Sequence, residues 1–177
     1  MNRCFTHTEI PMAARAFADA EKLVSRQFRL DPEVLRSNKY EVKTLAFLQD
    51  HEVKDGAFAH LCKYSFEKPS MMTPEGRGGF DFYRVCLQDN IILDAVHRAN
   101  SFIKLSPLML YIAVHELIHV MRFGNGTIDF DACAEAREQE EKIVHNLTRE
   151  TFKTLGQNDM DMILECFSGR FTIGDIN

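Results

Sequence analysis

Positive charge is in short supply in this chain: 21 lysines and arginines stand against 26 aspartates and glutamates, a formal net charge of −5 with a pI near 5.8. No basic field is available to release counterions from a phosphate backbone, so nucleic acid is excluded as an expected partner. Long apolar runs are missing as well. The longest, Leu108 to Val114, falls far short of the ~20 residues that a membrane span requires, and Met1-Asn2-Arg3-Cys4 leads into polar sequence rather than an apolar signal region. The expectation is a cytoplasmic protein with no membrane partner. Cysteine pairs are lacking too: Cys4, Cys62, Cys86, Cys133 and Cys166 are odd in number, widely spaced and without a CxxC. That fits neither a disulfide framework nor a cysteine zinc site, and the five read as reduced thiols serving as small core residues. There is no internal repeat, no low-complexity tract and no linker long enough to divide the 177 residues, so one domain spanning 1–177 is expected.

What is present is enough to build a core, with 45% hydrophobic and 27% charged residues. Ala13, Ala16, Phe17, Ala20, Leu23, Val24 and Phe28 recur at three and four, which predicts an amphipathic helix over Glu9 to Phe28. Spacing then shortens, and aromatic and β-branched runs predict three strands at Tyr40 to Leu48, Phe58 to Phe66 and Phe82 to Leu87. Between the last two, Lys68 to Gly79 is dense in proline and glycine and reads as an exposed loop. Helical spacing returns at Ile91 to Ala99. A better-signalled helix follows, with Ser106 as its cap, Pro107 in its first turn and Gly124 and Gly126 as stops after Phe123. A further helix is expected from Asp129 or Asp131 to Leu155-Gly156, and a short one over Met160 to Phe167.

The Ser106 helix carries His115-Glu116-Leu117-Ile118-His119, an HExxH pattern. Side chains four apart share one helix face, so both imidazoles can reach a single zinc ion, while Glu116 is rotated away from chelation yet can reach a water beside the metal as general base. In a chain of this composition the pattern arises by chance on the order of one to two percent of the time, so context matters. The context is a capped helix whose neighbours Leu110, Val114, Leu117, Ile118 and Met121 predict burial of one side.

A catalytic zinc takes three protein ligands and keeps one position open. The next helix offers Glu135, Glu138, Glu140, Glu141 and His145. Glu141 lies at the border of its apolar stripe and is the favoured third ligand; Glu135 and Glu138 read as solvated. Glu140 falls inside the stripe, where a carboxylate needs a metal or a partner, and remains an alternative. His145 shares the face of Glu141 and is expected to support the site from behind the ligands, with a purely structural histidine or direct ligation as the alternatives. Arg122 is expected in a surface ion pair.

An HExxH helix followed about twenty residues later by a glutamate-bearing helix resembles the gluzincin group of zinc metallopeptidases, whose third ligand is a glutamate, often in Glu-x-x-x-Asp or Glu-x-x-x-Asn. Glu141-Lys142-Ile143-Val144-His145 matches with histidine in the last place. The resemblance implies a zincin-like α+β fold: a small mixed or antiparallel sheet of about three strands on the HExxH helix, with helices before and after. It also implies a peptide or protein substrate laid along the sheet's edge strand, with Phe82 to Leu87 in the corresponding place. Glu116 would act as base and His145 or Tyr111 would be donors to the oxyanion. Two other readings share these residues: a zincin fold kept as a binding or regulatory module without turnover, against which the retention of Glu116 argues, and a helical interaction domain without metal, which a measurement of bound metal separates from the rest.

Overall fold

In the computed structural model, which describes residues 3–67, 79–153 and 158–166, one face of a three-stranded sheet lies over a buried helix. Strands β1 (Tyr40–Lys43), β2 (Ala59–Glu67) and β3 (Gly79–Leu87) stand in the order β1-β3-β2, with β1 parallel and β2 antiparallel to the central β3. Tyr83, Val85 and Leu87, two residues apart, all turn into the core, as the pleat requires of a strand with one face covered. The sheet is therefore mixed, and β2 is its edge strand on the side away from β1. Phe82 to Leu87 belong to the middle strand, whose backbone groups are spent on both neighbours, so the expected role as substrate-binding edge does not hold for that segment.

Six helices accompany the sheet among the described residues: α1 (Glu9–Gln27), α2 (Pro32–Ser37), α3 (Asp89–Arg98), α4 (Leu105–Gly124), α5 (Ala134–Lys153) and α6 (Asn158–Cys166). α4 is buried on every side rather than on one. Buried residues occupy its whole circumference from Leu108 to Met121, and α1 packs on it through Ala13, Ala16, Phe17, Ala20 and Val24, mostly small residues that let the two helices close up.

Several boundaries differ from those the spacing predicts, for local reasons. The first strand stops at Lys43 instead of Leu48, because the backbone N–H of Leu45 turns inward to donate to the buried Asp89 carboxylate at 3.0 Å, and a 3₁₀ turn follows. α4 begins at Leu105 with Lys104 as cap, two residues ahead of the expected cap Ser106; Pro107 still falls in the first turn, where its missing N–H costs nothing. Asp129 does not cap α5. Its carboxylate accepts the Asp131 N–H at 3.0 Å in a local turn, and the helix starts at Ala134. α4 ends where Gly124 meets Asn38: a Cβ there would stand 2.6 Å from the Asn38 side chain. The thiols are mostly not core residues. Cys86 is buried and Cys62 half-buried, but Cys4, Cys133 and Cys166 lie exposed in connections or at a helix end. The apolar spacing does not predict α2, which rests on a local start signal: the Asp31 carboxylate accepts the Glu33 N–H at 2.9 Å and Pro32 stands in the first turn. The expected loop over 68–78 and the expected helix ends at 155–156 and 167 lie outside the described residues.

The connection between β1 and β2 is pinned to the sheet by polar groups. The buried Gln88 amide donates to the carbonyls of Glu52 and Cys86 and accepts from the Lys54 N–H. Glu52, fully buried, takes a 2.6 Å bond from Arg84 on β3 and another from the Tyr64 hydroxyl on β2. Burial by itself would raise the Glu52 carboxyl, but donors from the Gln49 backbone, Tyr64 and Arg84 more than reverse it, to about 2. A folded-state value below the unfolded one means stability that is complete above about pH 4.5 and lost as pH falls toward 2. The shift corresponds to about 3 kcal/mol. Unfolding free energies followed through that window are expected to fall steeply in the wild type and less in Glu52→Gln; equal slopes would remove Glu52 from the acid response.

Candidate metal centre

α4 and α5 face each other at the HExxH turn. His115 and His119, one turn apart on α4, are almost completely buried, and both present Nε2 toward the Glu141 carboxylate on α5: His115 Nε2 lies 3.4 Å from Oε2 and His119 Nε2 3.1 Å from Oε1. One ligand atom from each of the three lies within 4.8 Å of the others. A tetrahedral zinc with bonds of about 2.0–2.1 Å sets neighbouring donor atoms about 3.3 Å apart. The two histidine-to-carboxylate separations bracket that value, so the three residues could hold a metal ion with bonds of that length.

The imidazoles are oriented by packing. For Nε2 to ligate, the ring proton must sit on Nδ1, and neither His115 Nδ1 nor His119 Nδ1 has a hydrogen-bond partner among the described residues. Instead His119 lies nearly parallel to Phe123 at 5.7 Å between centroids, and His115 meets His119 edge-on at 4.9 Å. Burial pulls His115 down to about 4, opposed by the hydrogen bond to Glu141 and reinforced by His119, which keeps the imidazole neutral at neutral pH. Burial also acts to lower His119, but the Glu141 hydrogen bond and charge prevail and raise it. Glu141 shows the reverse balance: burial raises it, and hydrogen bonds and charge from both histidines bring it down.

Glu116 lines the same cleft, of about 260 Å³, together with His60 and Leu61 of β2. It is 6% exposed, and burial pushes its carboxyl up to about 7, with His119 opposing and Glu141 adding to the shift. The group thus sits near the pH at which it can both accept and return a proton.

The remaining candidates on α5 separate cleanly. Glu138 is exposed and paired with Lys142 at 2.8 Å, and Glu135 is exposed. Glu140, 3% exposed, has found a partner instead of a metal: Arg122 donates to both its oxygens, at 2.6 and 2.9 Å. Arg122 is therefore not in the surface pair expected of it but in a largely buried two-pronged one that ties α4 to α5 beside Glu141. His145 is buried, its Nδ1 sharing a 3.1 Å hydrogen bond with the Tyr111 hydroxyl. Neither His145 nor Tyr111 lines the cleft. Lining residues that sequence reasoning missed include Lys54, Ala57, Phe130 and Arg137. Only Arg137 had a signal, four residues before Glu141 on the same helix face.

Removing Arg122 leaves the Glu140 carboxylate buried and unpaired, which costs about 3–5 kcal/mol, whereas replacing both members by apolar residues of similar volume is close to neutral. Urea denaturation of Arg122→Ala and of Arg122→Met with Glu140→Leu is expected to show that asymmetry; equal losses would mean that the pair matters through packing alone.

No family model, no curated protein and no solved structure matches this chain.

Proposed function

We propose that the protein is a zinc-dependent metallopeptidase with a zincin-like arrangement, in which His115, His119 and Glu141 hold the metal. The observation that carries this reading is the convergence of His115 Nε2, His119 Nε2 and the Glu141 carboxylate at zinc-ligand spacing, with the Glu116 carboxyl in the same cleft. Bound there, zinc would supply a Lewis acid that polarises a carbonyl and brings the pKa of a water toward neutrality.

The chain's own groups supply the rest. Glu116 takes the proton from water as it attacks the scissile carbonyl and delivers it to the leaving amine, the work of a general base that then turns acid. β2, an edge strand at the cleft, offers unpaired backbone groups to an extended peptide; this replaces Phe82 to Leu87 as the docking strand. His145 and Tyr111 brace α5 against α4 from behind, holding Glu141 toward the histidines.

The direct test is hydrolysis of a mixed peptide library by zinc-loaded protein, read by mass spectrometry. Cleavage that stops on chelation and returns with zinc is the expected result. A folded, zinc-loaded protein that cleaves no peptide would sink the peptidase reading and leave a metal-binding module.

A further inference from the structure

Among the described residues, two cations stand in the cleft without a carboxylate partner. Lys54, in the connection before β2, and Arg137, on α5 four residues before Glu141, both line the space that holds Glu116, His119 and Glu141. Elsewhere on this acidic chain several surface cations have found carboxylates: Lys22, Lys63, Arg98 and Lys142 each have one within 3.1 Å. Neither Lys54 nor Arg137 makes such a pair within the described residues, although the chain carries an excess of acidic groups.

Their positions are set by the fold. The Lys54 N–H is bonded to the side chain of Gln88, itself fully buried, so the root of Lys54 is fixed to the sheet, and its charge is close enough to Glu116 to favour that carboxylate. Arg137 sits one helical turn from a ligand, on the α5 side of the cleft. The acidic groups of the cleft are already committed. Glu140 is neutralised by Arg122, Glu141 faces the two histidines, and Glu116 is the base. With a divalent cation bound, the two positive side chains are the charges left for a substrate.

Resting on the peptidase reading above, we propose that Lys54 and Arg137 select acidic substrates, peptides with Asp or Glu close to the scissile bond, Lys54 from the sheet side of the cleft and Arg137 from the α5 side. The peptide backbone lies along β2, while its carboxylates meet the two cations. Both cations are exposed, so the effect of each pair is modest and salt-dependent, and charge reversal changes attraction into repulsion.

The experiment uses zinc-loaded Glu116→Gln, which holds peptide without turnover, and fluorescence anisotropy with matched peptides carrying Glu, Gln or Lys at the central positions. The Glu peptide is expected to bind about 10-fold more tightly than the Lys peptide at low salt, and Lys54→Glu with Arg137→Glu to reverse the order. Exposed positions tolerate such changes, so the variants should keep the fold; circular dichroism and zinc content confirm it. Equal affinities, or a preference that survives the double reversal, would overturn the proposal. Cleavage assays on wild type separate the two levels: hydrolysis without charge preference sinks acidic selection and leaves the peptidase, whereas charge-selective binding without hydrolysis of any peptide sinks the peptidase and supports the acidic ligand.

Discussion

Replacing His115 or His119 by alanine is expected to strip zinc from the protein, and Glu141→Ala to do the same. Binding free energies of about 10–16 kcal/mol, typical of structural zinc sites, divided among three ligands assign each about 3–5 kcal/mol, so each loss weakens binding roughly 10²–10⁴-fold. Elemental analysis after dialysis, and competition with a chromophoric chelator, read this directly. The wild type should retain about one zinc per chain and each variant almost none. Because the ion binds only the folded chain, zinc should also raise the thermal midpoint of the wild type but not of the variants, by an amount equivalent to about 4 kcal/mol at 1,000 times Kd. Zinc retained by Glu141→Ala but lost with His119→Ala would take Glu141 out of the ligand set and leave the two histidines as the protein's ligands. A folded wild type that takes up no zinc would end the metal reading altogether.

Glu116→Gln carries the second large effect. The amide keeps the shape of the side chain but neither accepts nor returns the proton, so kcat should fall about 10²–10⁴-fold while zinc content is unchanged. Separating the two readouts matters because Glu116 lies between the ligands in sequence and is as buried as they are. A variant that loses zinc together with activity would place Glu116 in the metal's support instead. Unchanged turnover in a zinc-loaded variant would mean that another group serves as base.

Part of the centre is legible in local spacing, for identifiable reasons. His115, Glu116 and His119 sit at helical intervals, and the geometry of one helix puts the two imidazoles on one face. Glu141 stands out at the border of an apolar stripe, again a property of a single helix. Where local spacing points elsewhere, a distant group has intervened. Glu140 has the look of a ligand because a carboxylate in an apolar stripe needs company; that company is Arg122, from another helix. The first strand ends early because Asp89, 44 residues on, draws in the Leu45 N–H. The edge strand is not where the resemblance to gluzincins implies, because pairing order is not written in any single strand: only the placement of β1 beside β3 makes β3 the centre and leaves β2 at the edge.

Periodicity alone sets out the parts of the centre: two histidines and a glutamate on one helix, a carboxylate-rich helix after it, and an amphipathic first helix to pack against them. A chain expresses such spacing through its own backbone whatever it later packs against. Packing decides which carboxylate meets the histidines, which is neutralised, which strand borders the cleft, and that Lys54 and Arg137 line it together. Those outcomes depend on contacts between residues far apart in the chain, where burial and charge pairing in one place set what is left over in another.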